Sequence, residues 1–305
     1  MYHLLKQLIR PVRNILSRND LRYDFIFGDI TNVCNLRCPF CYNDWKNLKG
    51  TKPVFMTKEN FKKIIDIIPL AKNGKFHFSC QFEVTLHKEF VDFLEMIPDH
   101  LKKQVMFTTN LSTKISDDVI NQLSKLDINY INISIESFEP HIYEQCRKNA
   151  KHDIFIFNLE RLVNVFKKSK SAPPLRYITV ANKLNMYEIP QIIEKCSKKY
   201  LSSRNEIRHL WETEFNAGWV TDNRLTDTEW TALQNSLKGL PYTYQISSEA
   251  GEKFENVAKP SYKVLRFSSD GLIKFEYNDI CQNTHHIQDI KHPYKFYRKI
   301  LKNSI

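Results

Sequence analysis

Glycine is scarce in this 305-residue chain, with only seven, and no stretch approaches the uninterrupted apolar run of about 18 to 20 residues that a membrane span needs. The N-terminus lacks both an apolar signal core and a small-residue cleavage site, so no secretory processing is expected and the cytoplasm is the expected compartment. Cysteines number seven, an odd count, with three inside one eight-residue segment and the others scattered. That distribution suits metal ligation in a reducing compartment and excludes a disulfide framework as the organising principle. Repeats, low-complexity tracts and recognised RNA-binding motifs with aromatic stacking signatures are also missing, so no nucleic-acid partner is expected.

What is present is material for a core. The hydrophobic fraction is 42%, with 20 Phe and 14 Tyr, which excludes a disordered chain. The length admits one barrel-sized domain with an appendage. A net charge of +11 is compatible with an acidic substrate, nucleic acid or a membrane surface. In a Lys-, Ile- and Asn-rich chain, however, lysines spread over solvated faces account for it, and charge alone identifies no partner.

Residues 1–20 place Leu4, Leu5, Leu8, Ile9, Val12, Ile15 and Leu16 on one helical face against Lys6, Arg10, Arg13 and Arg18, with Pro11 dividing the segment. This basic amphipathic extension, residues 1–22, packs on its own domain or makes peripheral contact with an anionic membrane. From residue 23 short apolar runs alternate with helical periodicity, the mark of repeated βα units and a parallel sheet. Strands are expected at 23–30, 75–80, 104–109, 130–135, 175–181 and 206–212, and helices near 57–69, 87–96, 116–126, 153–168 and 187–200. Thr57 and Ser116 are placed as helix caps. The fold class is therefore α/β, a partial (β/α)6 barrel of parallel strands over residues 23–218. A small C-terminal α+β extension follows over 219–305: a helix at 227–238, strands at 262–268 and 272–277 turning at Asp270-Gly271, and a basic helix at about 292–302.

In parallel α/β folds the loops after the strands gather on one face, where active sites are built. The segment Cys34-Asn35-Leu36-Arg37-Cys38-Pro39-Phe40-Cys41 follows the first expected strand. Iron-sulfur cubes are normally held by four thiolates, and three leave one iron open to a further ligand. Structural zinc takes four donors in a closed tetrahedron, and the nearest further candidates, His77 and Cys80, lie well downstream. Zinc in a structural or RNA-associated protein remains the non-enzymatic alternative, with a chance triad behind it.

From Phe25 through Tyr42 the sequence resembles the radical S-adenosylmethionine (SAM) superfamily. The resemblance implies one 4Fe-4S cluster on Cys34, Cys38 and Cys41, with SAM on the fourth iron. It also implies reductive cleavage to a 5'-deoxyadenosyl radical that abstracts hydrogen from substrate, chemistry carried by the cofactor. Phe40 would lie beside the adenine. Glu83, in a segment where the family has Gly-Gly-Glu-Pro, would receive the SAM ammonium, although the glycines and the proline are absent here. Thr108-Thr109-Asn110 resembles a Thr-Asn-Gly segment without its glycine, and Asn110, Ser134, Glu136 and Arg147 stand where the family contacts SAM, with Asn185 and Glu188 a weaker case. For each, an ordinary polar role at a strand or helix end is the alternative.

Leu265 to Ile273 resembles the start of the SPASM or twitch extensions of peptide- and sugar-modifying relatives. With Cys281 as the sole cysteine of this tail, no auxiliary cluster is expected. Cys281 is a candidate hydrogen donor, its bland alternative being a small packed hydrophobe. The expected substrate is a small polar metabolite such as a sugar or nucleotide sugar, since Arg204, Arg208 and His209 around the sixth strand would suit a phosphate. A peptide substrate is the alternative, and an electron donor such as flavodoxin or ferredoxin is the implied partner.

Overall fold

The computed structural model describes residues 22–72, 74–247, 262–277 and 280–303. The amphipathic extension of residues 1–20 lies outside the described residues. The six expected parallel strands form as β1 (Phe25–Gly28), β2 (Phe76–His77), β3 (Val105–Thr109), β4 (Tyr130–Ser134), β5 (Leu175–Val180) and β6 (Ser202–Arg208), each paired with the next in chain order. β6 begins four residues earlier than the apolar run around Leu210 and Trp211 suggests. Its alternation is polar because one face, with Arg204, Glu206 and Arg208, looks away from the core, leaving Asn205 and Ile207 as its buried pair.

The expected helices form between the strands, shorter at their ends. Thr57 accepts from the Asn60 amide at 3.2 Å and starts Lys58–Ile65, and Ser116 accepts from the Val119 amide at 3.3 Å and starts Asp117–Leu123. The first of these stops at Ile65, and the chain turns again through Ile68–Leu70, where Pro69 has no amide proton to continue a helix. The helices Phe90–Met96, His152–Phe166 and Ile189–Lys199 complete the outer layer.

The boundary expected near 218 falls within one continuous sheet. β7 (Tyr244–Ile246) adds in parallel to β6, while β8 (Lys263–Phe267) adds in parallel to β1 and continues antiparallel through β9 (Leu272–Tyr277) and β10 (Ile280–His286). The tail therefore extends both edges of the barrel sheet. Gly28 makes the β1–β8 junction possible: a Cβ there would lie 2.0 Å from the Phe267 carbonyl oxygen. The helix Pro293–Asn303 closes over β1, with the Tyr23 hydroxyl donating to the Tyr297 carbonyl at 2.7 Å.

Register divides the strands into two faces. Ile26, Phe76, Val105, Phe107, Ile131, Ile133 and Tyr177 are buried beneath the helices, where Phe61 stacks on Phe93 with centroids 4.7 Å apart. The opposite face carries Phe27, His77, Tyr130, Asn132, Arg176, Arg204 and Arg266. This second face is the inner surface of the partial barrel.

Candidate functional site

β1 ends at Gly28, and the chain from Asp29 to Asp44 crosses the C-terminal end of the sheet without regular structure. Asn32 pins the start of this loop, accepting from the Val54 amide at 2.7 Å. Arg37 clamps its middle, donating to the carbonyls of Cys34 at 2.8 Å and Leu36 at 2.7 Å while its guanidinium lies 4.5 Å from the Trp45 ring centre. Cys34, Cys38 and Cys41 are all free and half-buried. Burial pushes their thiols up, to about 12 for Cys34 and Cys38 and about 11 for Cys41, with Arg147 opposing the rise at each. Iron binding would displace those protons and supply the positive charge that burial withholds. Among the described residues no three His, Cys, Asp or Glu side chains gather closely enough to hold a single ion. A cube asks only one thiolate per iron.

Glu83 follows β2 and is buried. Its Oε1 accepts from the Thr85 hydroxyl at 2.7 Å and the Thr109 hydroxyl at 2.6 Å, and its Oε2 from the Asn110 amide at 2.7 Å. Burial raises its pKa and these bonds lower it. All of those donors are neutral, so a buried carboxylate is held ready for a cation, and an ammonium fits the donor set. Asn110 joins this carboxylate to the cysteine loop: its Nδ2 donates to Asn35 Oδ1 at 3.0 Å and lies 3.9 Å from Cys34 Sγ. The three cysteines, Glu83 and Asn110 are thus one connected site.

The remaining expected contacts are arranged differently. Glu136 and Arg147 are both buried and form a two-pronged ion pair with each other, Arg147 Nη2 donating to Glu136 Oε1 at 3.1 Å alongside a second bond from Nε to Oε2. Asn185 donates to the Glu136 carbonyl at 2.9 Å, and Glu188 accepts from the Phe138 amide at 2.7 Å and from Ser137, so both brace the loop after β4. Ser134 ends β4 on the inner face, beside Ile178 in register. Phe40 packs against Trp219 with centroids 5.8 Å apart, and its carbonyl accepts from Asn216 at 3.0 Å. Cys281 is not brought to this site. It is exposed at the start of β10 and pairs in register with Glu276, which in turn faces Val264 and through it Phe25, at the end of β1 away from the cysteine loop. The lone tail thiol lies three strands beyond β1 because the hairpin continues the sheet outward instead of folding over the loops.

Asp29 falls inside the strand expected at 23–30, where nothing in the sequence pattern singles it out, but β1 ends at Gly28 and leaves it as an acid directly after the strand. It is buried, and its Oδ1 accepts from three consecutive amides, Cys80, Gln81 and Phe82, each at 3.0 Å, and from the Ser79 hydroxyl at 3.2 Å. Burial raises its pKa and these donors pull it back. The loop that presents Glu83 is shaped by this carboxylate where the resembling family has glycines. At the other missing glycine, Leu111 adopts the left-handed conformation, with φ of 55°, and is fastened by Asn158 donating to its carbonyl at 3.0 Å.

The sequence matches the radical SAM superfamily over residues 29–195. Among curated relatives, a GTP 3',8-cyclase of Pasteurella multocida is 24% identical over 71% of this chain and 64% of its own length, so less than two thirds of that enzyme is spanned. One from Haemophilus influenzae is 27% identical over 86% of this chain and 82% of its own. Among solved structures, SuiB of Streptococcus suis superposes at 14% identity over 99% of this chain, with a TM-score of 0.63 when bound to S-adenosylmethionine (72% of that chain) and 0.64 when bound to the precursor peptide SuiA (71%). With a matched segment covering more than half its length and the cysteine loop at the head of a parallel partial barrel, the chain belongs to the radical SAM superfamily, whose enzymes use a 4Fe-4S cluster and SAM.

Proposed function

We propose that Cys34, Cys38 and Cys41 hold the cluster, that Glu83 receives the SAM ammonium, and that the substrate is a small polar metabolite bound on the inner face of the barrel. When bound, the cluster and SAM supply a 5'-deoxyadenosyl radical that takes a hydrogen atom from substrate. The observation that carries the SAM assignment is Glu83, a buried carboxylate held by neutral donors and tied through Asn110 to Cys34. Asn110, Asp29 and the Glu136–Arg147 pair act by positioning: they fix the two loops and keep charge beside the thiolates balanced. Phe40 and Ser134 complete the proposed SAM contacts. The chemistry belongs to residues 23–218, and the tail completes the sheet at both edges.

A small substrate is supported by the polar inner face and by the curated relatives, GTP 3',8-cyclases, which act on GTP. That activity gives no support to a free sugar. A peptide substrate is the second reading, since SuiB was solved with a peptide, but a likeness at 14% identity concerns the fold alone. A flavodoxin- or ferredoxin-type reductant and a cytoplasmic setting complete the proposal; no helix among the described residues is long and apolar enough to cross a membrane.

Anaerobic purification and reduction with SAM test the assignment. The expected result is a brown protein with about four irons and four sulfides per chain that forms 5'-deoxyadenosine. A colourless protein carrying one zinc would overturn it.

A further inference from the structure

A cluster on Cys34, Cys38 and Cys41 needs one electron from outside. The other cysteines, Cys80, Cys146, Cys196 and Cys281, are too few and too scattered along the chain to hold a relay cluster. An electron carrier must therefore approach the cysteine loop itself.

The surface around that loop is basic. Arg37 is exposed, and its amide donates to the Lys148 carbonyl at 2.9 Å, which ties the segment after Arg147 to the loop. The Arg37 guanidinium leans on Trp45, the first residue of the short helix Trp45–Leu48, which carries Lys46 and is followed directly by Lys49. Lys52 is fastened to the start of the loop, its carbonyl accepting from Asn32 Nδ2 at 3.1 Å, two residues before Cys34. All five cations are exposed, and none makes an ion pair among the described residues. Within residues 37–52 the single carboxylate, Asp44, is turned onto its own helix, where it accepts from the Lys46 and Asn47 amides, each at 3.1 Å. Near Lys148, Glu144 and Lys151 face each other at 4.0 Å. Tyr42, directly after Cys41, and Phe55, bridged to Thr31, are 41% and 46% exposed and add apolar area to this surface.

We propose that this face docks an acidic one-electron carrier protein. The inference rests on the cluster assignment above. In the step it serves, the carrier is oxidised by one electron, the cluster is reduced by one, and no bond or proton moves. Aromatic area among charged residues is the usual anatomy of a protein interface. Opposite charge speeds the encounter and is screened by salt. The cations stand on connections into the outer helices, Lys46 to Lys52 before Lys58–Ile65 and Lys148 before His152–Phe166, whereas the proposed substrate lies on the inner face. A protein that delivers electrons fits that placement better than the substrate does.

Stopped-flow reduction of the cluster-loaded full chain by flavodoxin hydroquinone, an acidic flavoprotein, tests this through the loss of cluster absorption. The second-order rate should fall about tenfold or more between low and high salt, and about tenfold at low salt in the triple variant Lys46→Gln, Lys49→Gln, Lys52→Gln. A second triple, Lys295→Gln, Lys299→Gln, Lys302→Gln, removes the same charge from the helix Pro293–Asn303, whose Tyr297 meets Tyr23 at the end of β1 away from the loop. It should stay within about twofold of wild type. Equal losses in the two triples would show a general charge effect and overturn the docking face, as would a rate indifferent to salt or to the first triple. Reduced methyl viologen, a small cation, should reduce wild type and both triples alike; a loss in the first triple here too would place its defect in the cluster and overturn the proposal. Polyglutamate bound by wild type and lost in the first triple, with flavodoxin rates unchanged, would assign the face to an acidic peptide instead. A chain that forms no 5'-deoxyadenosine from SAM with either reductant refutes the radical function and the docking with it. One that forms it with methyl viologen, while flavodoxin ignores salt and the lysines, refutes the docking alone.

Discussion

Glu83 is the residue on which the proposed SAM assignment rests. The Thr85, Thr109 and Asn110 donors hold its carboxyl group in place, while burial raises its pKa. Glu83→Gln should keep the cluster, visible in its absorption and electron paramagnetic resonance, and weaken SAM binding by about 1.5–3 kcal/mol, the range for a hydrogen bond to a charged group. Equilibrium dialysis with labelled SAM checks this, and undiminished affinity would remove Glu83 from the SAM site. Asp29 acts one step further out, through the amides of Cys80, Gln81 and Phe82. Asp29→Asn should raise the KM for SAM more than it lowers kcat at saturating SAM, with Asp29→Glu restoring part of the loss; equal effects on both constants would argue against a positioning role. His77 gives a pH signature. Burial first, then Lys75 and Arg208, hold its pKa down to about 4, so between about 6.5 and 4 the unfolded chain binds a proton that the folded chain does not. Stability should therefore fall as pH drops through that window, by up to about 3 kcal/mol. His77→Gln should flatten the thermal melt in that range, and an unchanged pH slope would count against the assignment.

At the scale of elements, two departures from the family pattern have structural answers. The absent glycine after Asn110 is replaced by Leu111 at φ of 55°, a conformation that costs a non-glycine residue about 1–2 kcal/mol, held by Asn158 from the helix His152–Phe166. The absent glycines before Glu83 are answered by the amides gathered on Asp29. Of the strands, β1 to β5 were legible because their outer-face residues repeat every second position against the helices, as Ile131 and Ile133 do. β6 was displaced and β7 and β10 were unread because their apolar alternation is weak, with charged or exposed side chains along much of their length. Gly28 is where an element depends on one residue. Gly28→Ala should force β8 away from β1 and cost about 1–3 kcal/mol, the usual range for overpacking. A melting temperature equal to wild type would show that the two strands can part without loss.

For the molecule as a whole, the continuous sheet joins the loops that carry Cys34 and Glu83 to a tail that supplies inner-face charge through β8 and β9. Replacing Cys34, Cys38 and Cys41 together with Ala should abolish cluster loading and 5'-deoxyadenosine formation while leaving far-ultraviolet circular dichroism unchanged, because the thiols sit in a loop and the core lies under Phe61, Phe93 and Phe107. Iron retained by the triple variant would point to other ligands.

The sequence by itself determined the α/β class and the parallel order of the barrel strands, and it singled out Cys34, Cys38 and Cys41 as the ligands proposed for the cluster, because periodicity and cysteine spacing are local properties of the chain. Tertiary structure decided what depends on residues far apart meeting: that Glu136 and Arg147 neutralise each other, that Asp29 shapes the Glu83 loop fifty residues away, that Cys281 lies outside the site, and that Lys148 meets Arg37 at the cysteine loop. Register and curvature set those distances, and neither is written in any short stretch of sequence.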